Sequence, residues 1–223
     1  MGSRGEGSSA RGVFITFEGF EGSGKSTQIK LLADYLRRKK YRVLVLREPG
    51  STKASEAVRK IILDKNNGRI TDKSELLLYL AARAQLVEEK IIPALEIGRI
   101  VLCDRFQDAT TAYQGFGLGL DRRLIDELGS FVTAGLSPDL TVLLDIEVRE
   151  GLRRAGKNKD RIEQRSLDYH RRVRKGYLKI AQSFPQRVKV VKVKDIKKTQ
   201  EEVRRLVEEL LTNDSEGICR LKK

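Results

Sequence analysis

Cysteine, histidine and long apolar runs are all scarce in this sequence. Its 223 residues hold two cysteines, Cys103 and Cys219, too few and too far apart for a disulfide framework or a tetrathiolate zinc site. His170 is the sole histidine, which excludes a metal site built on several histidines and leaves a Ser-His-Asp triad only this one to use. No stretch approaches the roughly 18 apolar residues of a membrane span. Residues 1–12, rich in Gly, Ser and Arg, lack the apolar segment of a secretory signal and read as a disordered leader. These absences predict a soluble protein of the reducing cytoplasm, whose chemistry must run on Asp, Glu, Lys, Arg and backbone.

What the chain has in excess is positive charge. Lys and Arg number 45 against 31 Asp and Glu, a formal balance of +14. Such a balance implies polyanionic company, whether nucleic acid, a membrane surface or a phosphorylated small molecule. A Lys/Arg/Glu-rich surface tuned for ion pairing in a heat-loving organism would raise the same number, so charge alone does not choose.

Five short runs rich in Val, Ile and Leu lie at 13–18, 42–47, 100–104, 140–145 and 188–194. Stretches with helical spacing separate them, at 28–38, 54–63, 74–97, 124–133 and 167–183. Alternation of this kind predicts an α/β domain over 13–211, a parallel sheet with helices on both faces. Thr199 with Glu202 three residues on spells a capping box, so a last helix is expected from 199 to about 211, followed by a flexible polar tail, 212–223. The first half of 74–97 is apolar on nearly every side, through Leu76, Leu77, Leu78, Tyr79, Leu80, Ala81 and Ala82. It must therefore be covered by more than its own sheet, either centrally or by a second subunit.

Gly19-Phe20-Glu21-Gly22-Ser23-Gly24-Lys25-Ser26 follows the first strand and precedes a helical stretch, matching G-x-x-x-x-G-K-[ST] in the context that pattern requires. The glycines turn successive N–H groups inward around phosphate, and the helix beginning near Lys25 adds the positive end of its dipole. Lys25 spans the β and γ phosphates, and the Ser26 hydroxyl holds Mg²⁺. The chain is thus expected to bind a nucleoside triphosphate, with Thr27 completing the loop, in a three-layer P-loop NTPase fold with a five-stranded parallel sheet. Loops of this kind serve GTPases, mechanical ATPases and small kinases alike. Asn158-Lys159-Asp160 lacks the spacer of a guanine-reading motif. The third strand ends Cys103-Asp104-Arg105 rather than in an acidic pair, which suggests a second anion handled beside the metal.

These residues, taken with several others, resemble the thymidylate kinase family, which passes the γ-phosphoryl group of ATP to dTMP. The resemblance spans about 13–211. It rests on the phosphate loop, Arg47-Glu48-Pro49-Gly50, Ala81-Ala82-Arg83, Asp104-Arg105-Phe106 with Ala112-Tyr113-Gln114-Gly115, and Asp160-Arg161-Ile162-Glu163-Gln164. It implies that Glu21 accepts from the 3′-hydroxyl of the deoxyribose and that Tyr79 stacks on thymine while Arg83 donates to the base. Arg105 and Arg59 would grip the acceptor phosphate, with Glu48 near them. Thr110 and Gln114 would meet the pyrimidine edge, and Tyr113 would crowd the sugar 2′ position. Asp104 would join the Mg²⁺ shell through water, and Arg154 and Asp195 would flank adenine. A homodimer is implied too, with no membrane and no nucleic acid as partner. Ser51 departs from the second glycine many relatives carry after Pro-Gly, so the backbone there is expected to be less free to take positive φ.

A phosphate monoester with a second pKa near ~6 is mostly dianionic at neutral pH, so the acceptor needs no general base. The phosphate loop lacks the arginine that some family members carry. The resemblance therefore implies a lid, 155–164, whose Arg161 and then Lys159 reach the γ-phosphate as the lid closes. An arginine placed at Gly22 is expected to substitute in part.

Overall fold

The five apolar runs form one parallel sheet among the residues that this computed structural model describes, 12–67, 69–156 and 160–213. The strands are β1 (Val13–Gly19), β2 (Val43–Arg47), β3 (Ile100–Asp104), β4 (Leu140–Asp145) and β5 (Val188–Lys192), in the order β2-β3-β1-β4-β5. Leader residues 1–11, lid residues 157–159 and tail residues 214–223 lie outside the described set.

β1 is buried along its whole length because helices cover both faces, which is why it reads as a continuous apolar run. Ile15 and Phe17 face α1 (Lys25–Arg38) and α9 (Ile196–Asn213), where they meet Leu32, Leu36, Val203 and Val207. Phe14 points to the opposite layer and packs with Leu86, Ile91, Val101 and Phe106. On that side lie α2 (Lys53–Leu63), α3 (Asp72–Leu86), α4 (Ile92–Glu96), α5 (Gln107–Thr110), α6 (Arg122–Thr133) and α8 (Leu167–Ser183), while α7 (Val148–Ala155) packs beside Phe20 and Leu167 beyond the strand ends.

The expected long helix at 74–97 is α3 and α4 joined by a wide π turn at Val87–Ile91. Pro93, at the start of α4, has no N–H to return to the preceding turn, and the helix widens there rather than breaking. α3 packs on α6 through Leu76, Leu80 and Ile125, while Leu77 stays exposed.

Two expectations are corrected at chain level. The last helix begins at Ile196, not Thr199, because Asp195 caps it by accepting from the Lys198 N–H at 2.9 Å. Thr199 instead accepts from the Lys194 N–H at 3.0 Å. Ser51 does adopt positive φ, at 69°, and its own polar atoms hold it there: Oγ accepts from the Arg47 N–H, and its N–H donates to Glu56.

Register places the C-terminal ends of three strands together. Phe17 of β1 pairs with Asp104 of β3 and with Val142 of β4, so Gly19, Asp104 and Arg105 emerge at one sheet edge. β1 also has its neighbours on opposite sides arriving from later in the chain, the switch-point arrangement that opens a crevice beyond the strand ends.

Candidate active site

At that crevice lies a cavity of about 350 Å³. Its walls bring together the phosphate loop (Glu21, Gly22, Lys25, Ser26), the strand end (Asp104, Arg105) and residues of the α2–α3 and α5 regions, among them Glu48, Arg59, Tyr79, Arg83, Thr110, Tyr113 and Gln114. The sequence motifs, spread over more than half the chain, converge on one space.

The loop owes its shape to glycine. Gly24 precedes α1 at φ 89° without any side-chain cap, so the first N–H groups of α1 are left to a ligand. At Gly22, φ is 69°, and a Cβ would meet the Gly151 carbonyl oxygen at 2.2 Å and Arg154 Cβ at 3.0 Å. A Cβ on Gly151 would in turn strike the Glu21 carbonyl oxygen at 2.5 Å, so α7 leans directly on the loop. Lys25 Nζ donates to the Gly19 and Phe20 carbonyls at 3.0 and 3.2 Å. Burial, then the charge of Arg105, push its pKa down to about 8, against Asp104, Glu21 and Glu18, which raise it. The Ser26 hydroxyl donates to Asp104 Oδ2 at 2.9 Å.

Arg105 takes φ 73°, unusual for a side chain of its size, and is held there from several directions. Its N–H donates to the Phe17 carbonyl at 3.0 Å, and its guanidinium reaches the Gly19 carbonyl, the Tyr177 hydroxyl and Glu21 Oε1 at 3.2, 3.1 and 2.9 Å. Tyr113 donates to the same Glu21 oxygen at 2.5 Å. The other oxygen, Oε2, is buried with no hydrogen-bond donor among the described residues. Burial would raise the Glu21 pKa, but Arg105, Lys25 and the Tyr113 hydroxyl outweigh it and hold the carboxyl below its ordinary value. Behind Arg105, Tyr177 donates to Glu18 at 2.8 Å and the Phe106 N–H to its second oxygen at 2.7 Å. Burial, then the nearby Asp108, push the Glu18 pKa up to about 8.

The acceptor wall is an ionic mesh. Arg83, 1% exposed, lies 2.5 Å from equally buried Glu48 and donates to Thr110 Oγ1, the Phe106 carbonyl and Gln107 Oε1 at 2.7, 3.1 and 2.5 Å. Burial keeps the Glu48 pKa above its usual range despite Arg83. Arg59 donates to the Pro49 carbonyl at 3.0 Å and lines the cavity. Tyr79 is half-buried beside it, and burial followed by the charge of Glu75 raises the pKa of its hydroxyl.

Some expected residues sit elsewhere. Arg161 does not hang over the donor loop. Its Nε donates to the Ile62 carbonyl at 2.7 Å and its Nη2 to Glu75 at 2.5 Å, because the segment around it is a tight turn pinned to the end of α2. Asp160 Oδ1 accepts from the Ile162 and Glu163 N–H groups, and Glu163 returns the favour to the Asp160 N–H. This part of the expected lid is thus anchored to the acceptor side. Lys159, the second lid cation, lies outside the described residues. Arg154 pairs with Glu150 at 2.8 Å on the outer face of α7, and Asp195 is engaged as the cap of α9. Sequence reasoning missed Glu75, Tyr177 and Glu18. Only Glu18 left a trace, a lone acid inside a buried strand.

Comparison with known proteins points the same way. A sequence model of the thymidylate kinase family matches residues 17–207. A thymidylate kinase of Thermoanaerobacter sp. is 51% identical over 178 residues, covering 79% of this chain and 87% of that protein. One from Pelobacter propionicus is 52% identical over 184 residues, covering 79% and 84%. The crystal structure of thymidylate kinase from Ehrlichia chaffeensis is similar with a TM-score of 0.74 at 36% identity, covering 88% of this chain and 99% of that one.

Proposed function

We propose, from the premise that this chain belongs to the thymidylate kinase family and phosphorylates dTMP, that one cavity holds dTMP together with the phosphate end of ATP and that its two walls divide the work. The observation that carries this reading is the continuity of the space: phosphate-loop atoms and the Arg59, Tyr79, Arg83 and Gln114 wall line the same 350 Å³ cavity, with Arg105 and Glu21 between them.

On the donor side, the loop N–H groups and Lys25 hold the triphosphate. Ser26 and Asp104 present two hard oxygen donors in contact with each other, a set that suits Mg²⁺, which prefers few protein ligands beside phosphate and water. Bound there, the ion would neutralise phosphate charge. Lys159 of the lid and, beside Gly22, Arg154 of α7 are the cations assigned to the donor end.

On the acceptor side, Glu21 Oε2 is the unfilled acceptor for a sugar 3′-hydroxyl. Tyr113, tied to the other Glu21 oxygen, places its ring against the 2′ position. Tyr79 stacks on the base, and Arg83, Thr110 and Gln114 face its edge. Arg105 and Arg59 grip the acceptor phosphate, for which the planar guanidinium fork is suited. Arg105 is locked by its backbone and by Tyr177, so it meets the phosphate without reorganising, which is how fixed charges stabilise a transition state. The attacking oxygen is already anionic. The residues therefore hold two repelling anions in line and shield the transferred group.

A panel of dTMP, dUMP, UMP, CMP and AMP at saturating ATP tests the assignment. dTMP is expected to give the highest kcat/KM, and a preference for any ribonucleotide would overturn the acceptor wall as drawn. The family resemblance also supports a homodimer in the cytoplasm, in keeping with the buried free thiol of Cys103. Exposed Leu77 of α3, with Leu124 and Phe131 of α6, offers an apolar surface for the second copy, which sedimentation of a Phe131→Glu variant would test.

A further inference from the structure

Glu75 sits one turn into α3, is wholly buried, and has no part in the assignments above. Three donors converge on it. Arg161 and Arg165 reach Oε2 at 2.5 and 2.7 Å, and Gln114 Nε2 reaches Oε1 at 2.9 Å. A carboxylate flanked by two guanidinium groups accepts and cannot donate. The Gln114 amide must therefore turn its nitrogen toward Glu75, and its oxygen is the end left for the cavity that Gln114 lines.

That orientation has a chemical consequence. A carbonyl oxygen facing a pyrimidine edge is satisfied by an N3–H, which thymine and uracil carry. It is opposed by the N3 lone pair of cytosine. A buried polar group left unpaired by the wrong partner discriminates more strongly than a pocket that merely fits. We propose that Glu75 is a positioning residue for base selection: it fixes the Gln114 amide so that the site takes pyrimidines with a hydrogen on N3. Arg161 and Arg165 serve this by holding the Glu75 carboxylate still. The inference rests on the reading that Gln114 meets the pyrimidine edge.

The test is the ratio of kcat/KM for dTMP to that for dCMP. Glutamine at position 75 can donate or accept, so Glu75→Gln frees the Gln114 amide to turn over. The ratio is expected to fall by about tenfold or more, chiefly through the KM for dTMP, while the KM for ATP stays within twofold. If Glu75→Gln does not fold, Glu75→Gln with Arg165→Gln removes one cation together with the carboxylate, and the same ratio is read. Gln114→Ala is measured beside them. If it lowers the ratio and the Glu75 variant does not, Glu75 has no role in selection. If Gln114→Ala leaves the ratio unchanged, the base-edge reading itself is wrong and the proposal falls with it.

Discussion

The two walls of the cavity are built on opposite principles. The phosphate loop is local: eight consecutive residues, backbone N–H groups as the binding element, and glycines that let them turn. Almost nothing else is required of the chain. The acceptor wall is distributed. Arg83 leans on Glu48, Gln114 on Glu75, and Arg105 on Glu21, Tyr177 and, through it, Glu18. A ligand site made of backbone can lose a side chain and keep its shape. A site made of buried charges cannot, because each charge is the solvation of another.

Lys25→Ala should separate chemistry from stability most sharply. Turnover is expected to fall by about a thousandfold or more, since a charge on the transferred group is lost. The thermal midpoint should move much less, because burial of the ammonium offsets its attraction to Asp104 and Glu21 and its hydrogen bonds are to two carbonyls. Turnover within tenfold of the parent would break the comparison at its donor end.

Arg83→Ala should do the reverse. It leaves Glu48 buried and unpaired, a loss of about 3 kcal/mol or more in urea unfolding. Glu48→Gln in the same chain should restore much of the stability without restoring the dTMP KM. If Arg83→Ala is as stable as the parent, the wall is not a mesh of mutual support.

Glu18 offers a finer cut. Its pKa rises from the ordinary carboxylate range to about 8 on folding, so its contribution is fully present below pH 4.5 and is lost as pH rises through 8. Glu18→Gln should therefore flatten the pH dependence of stability between pH 5 and 8.5, by a few kcal/mol at most. Parallel curves for parent and variant would mean that Glu18 keeps its charge.

The smallest effect is expected from pH at the loop. With a pKa of about 8 in the free protein, Lys25 loses its proton above that pH. The kcat/KM for ATP should fall by about tenfold per unit there, whereas kcat stays level further up because bound phosphate favours the ammonium. Loss of both together would place the titration elsewhere.

This contrast also explains what could be read from the sequence. All five strands were legible to within a residue or two, since each is a short run of Val, Ile, Leu or Phe between polar stretches. The phosphate loop was legible because its eight residues are contiguous. α7 was not, because Val148-Arg149-Glu150-Gly151-Leu152-Arg153-Arg154-Ala155 is charged, short and interrupted by the glycine that lets it touch the loop. The helical segment at 107–117 was missed for a similar reason: Thr110-Thr111 and the glycines at 115 and 117 are poor helix formers, and packing on α8 overrides them. Glu75 was invisible as a functional residue. It looks like an ordinary acid in the first turn of a helix, and its partners lie 39, 86 and 90 residues away. The motif around Arg161 was found, but a motif carries no direction, and its guanidinium faces the acceptor wall rather than the donor.

The contact between Gly22 and Gly151 also bears on the routes open to this sequence as it diverges. Here any side chain at Gly22 would enter the Gly151 carbonyl and demand a backbone conformation that favours glycine. An arginine there could not relieve the lid of its charge, contrary to what the motif alone implies, unless α7 had first moved away. In this chain an arginine-bearing loop and α7 as it stands exclude each other, so residues 148–155 would have to change before the loop itself is free to vary.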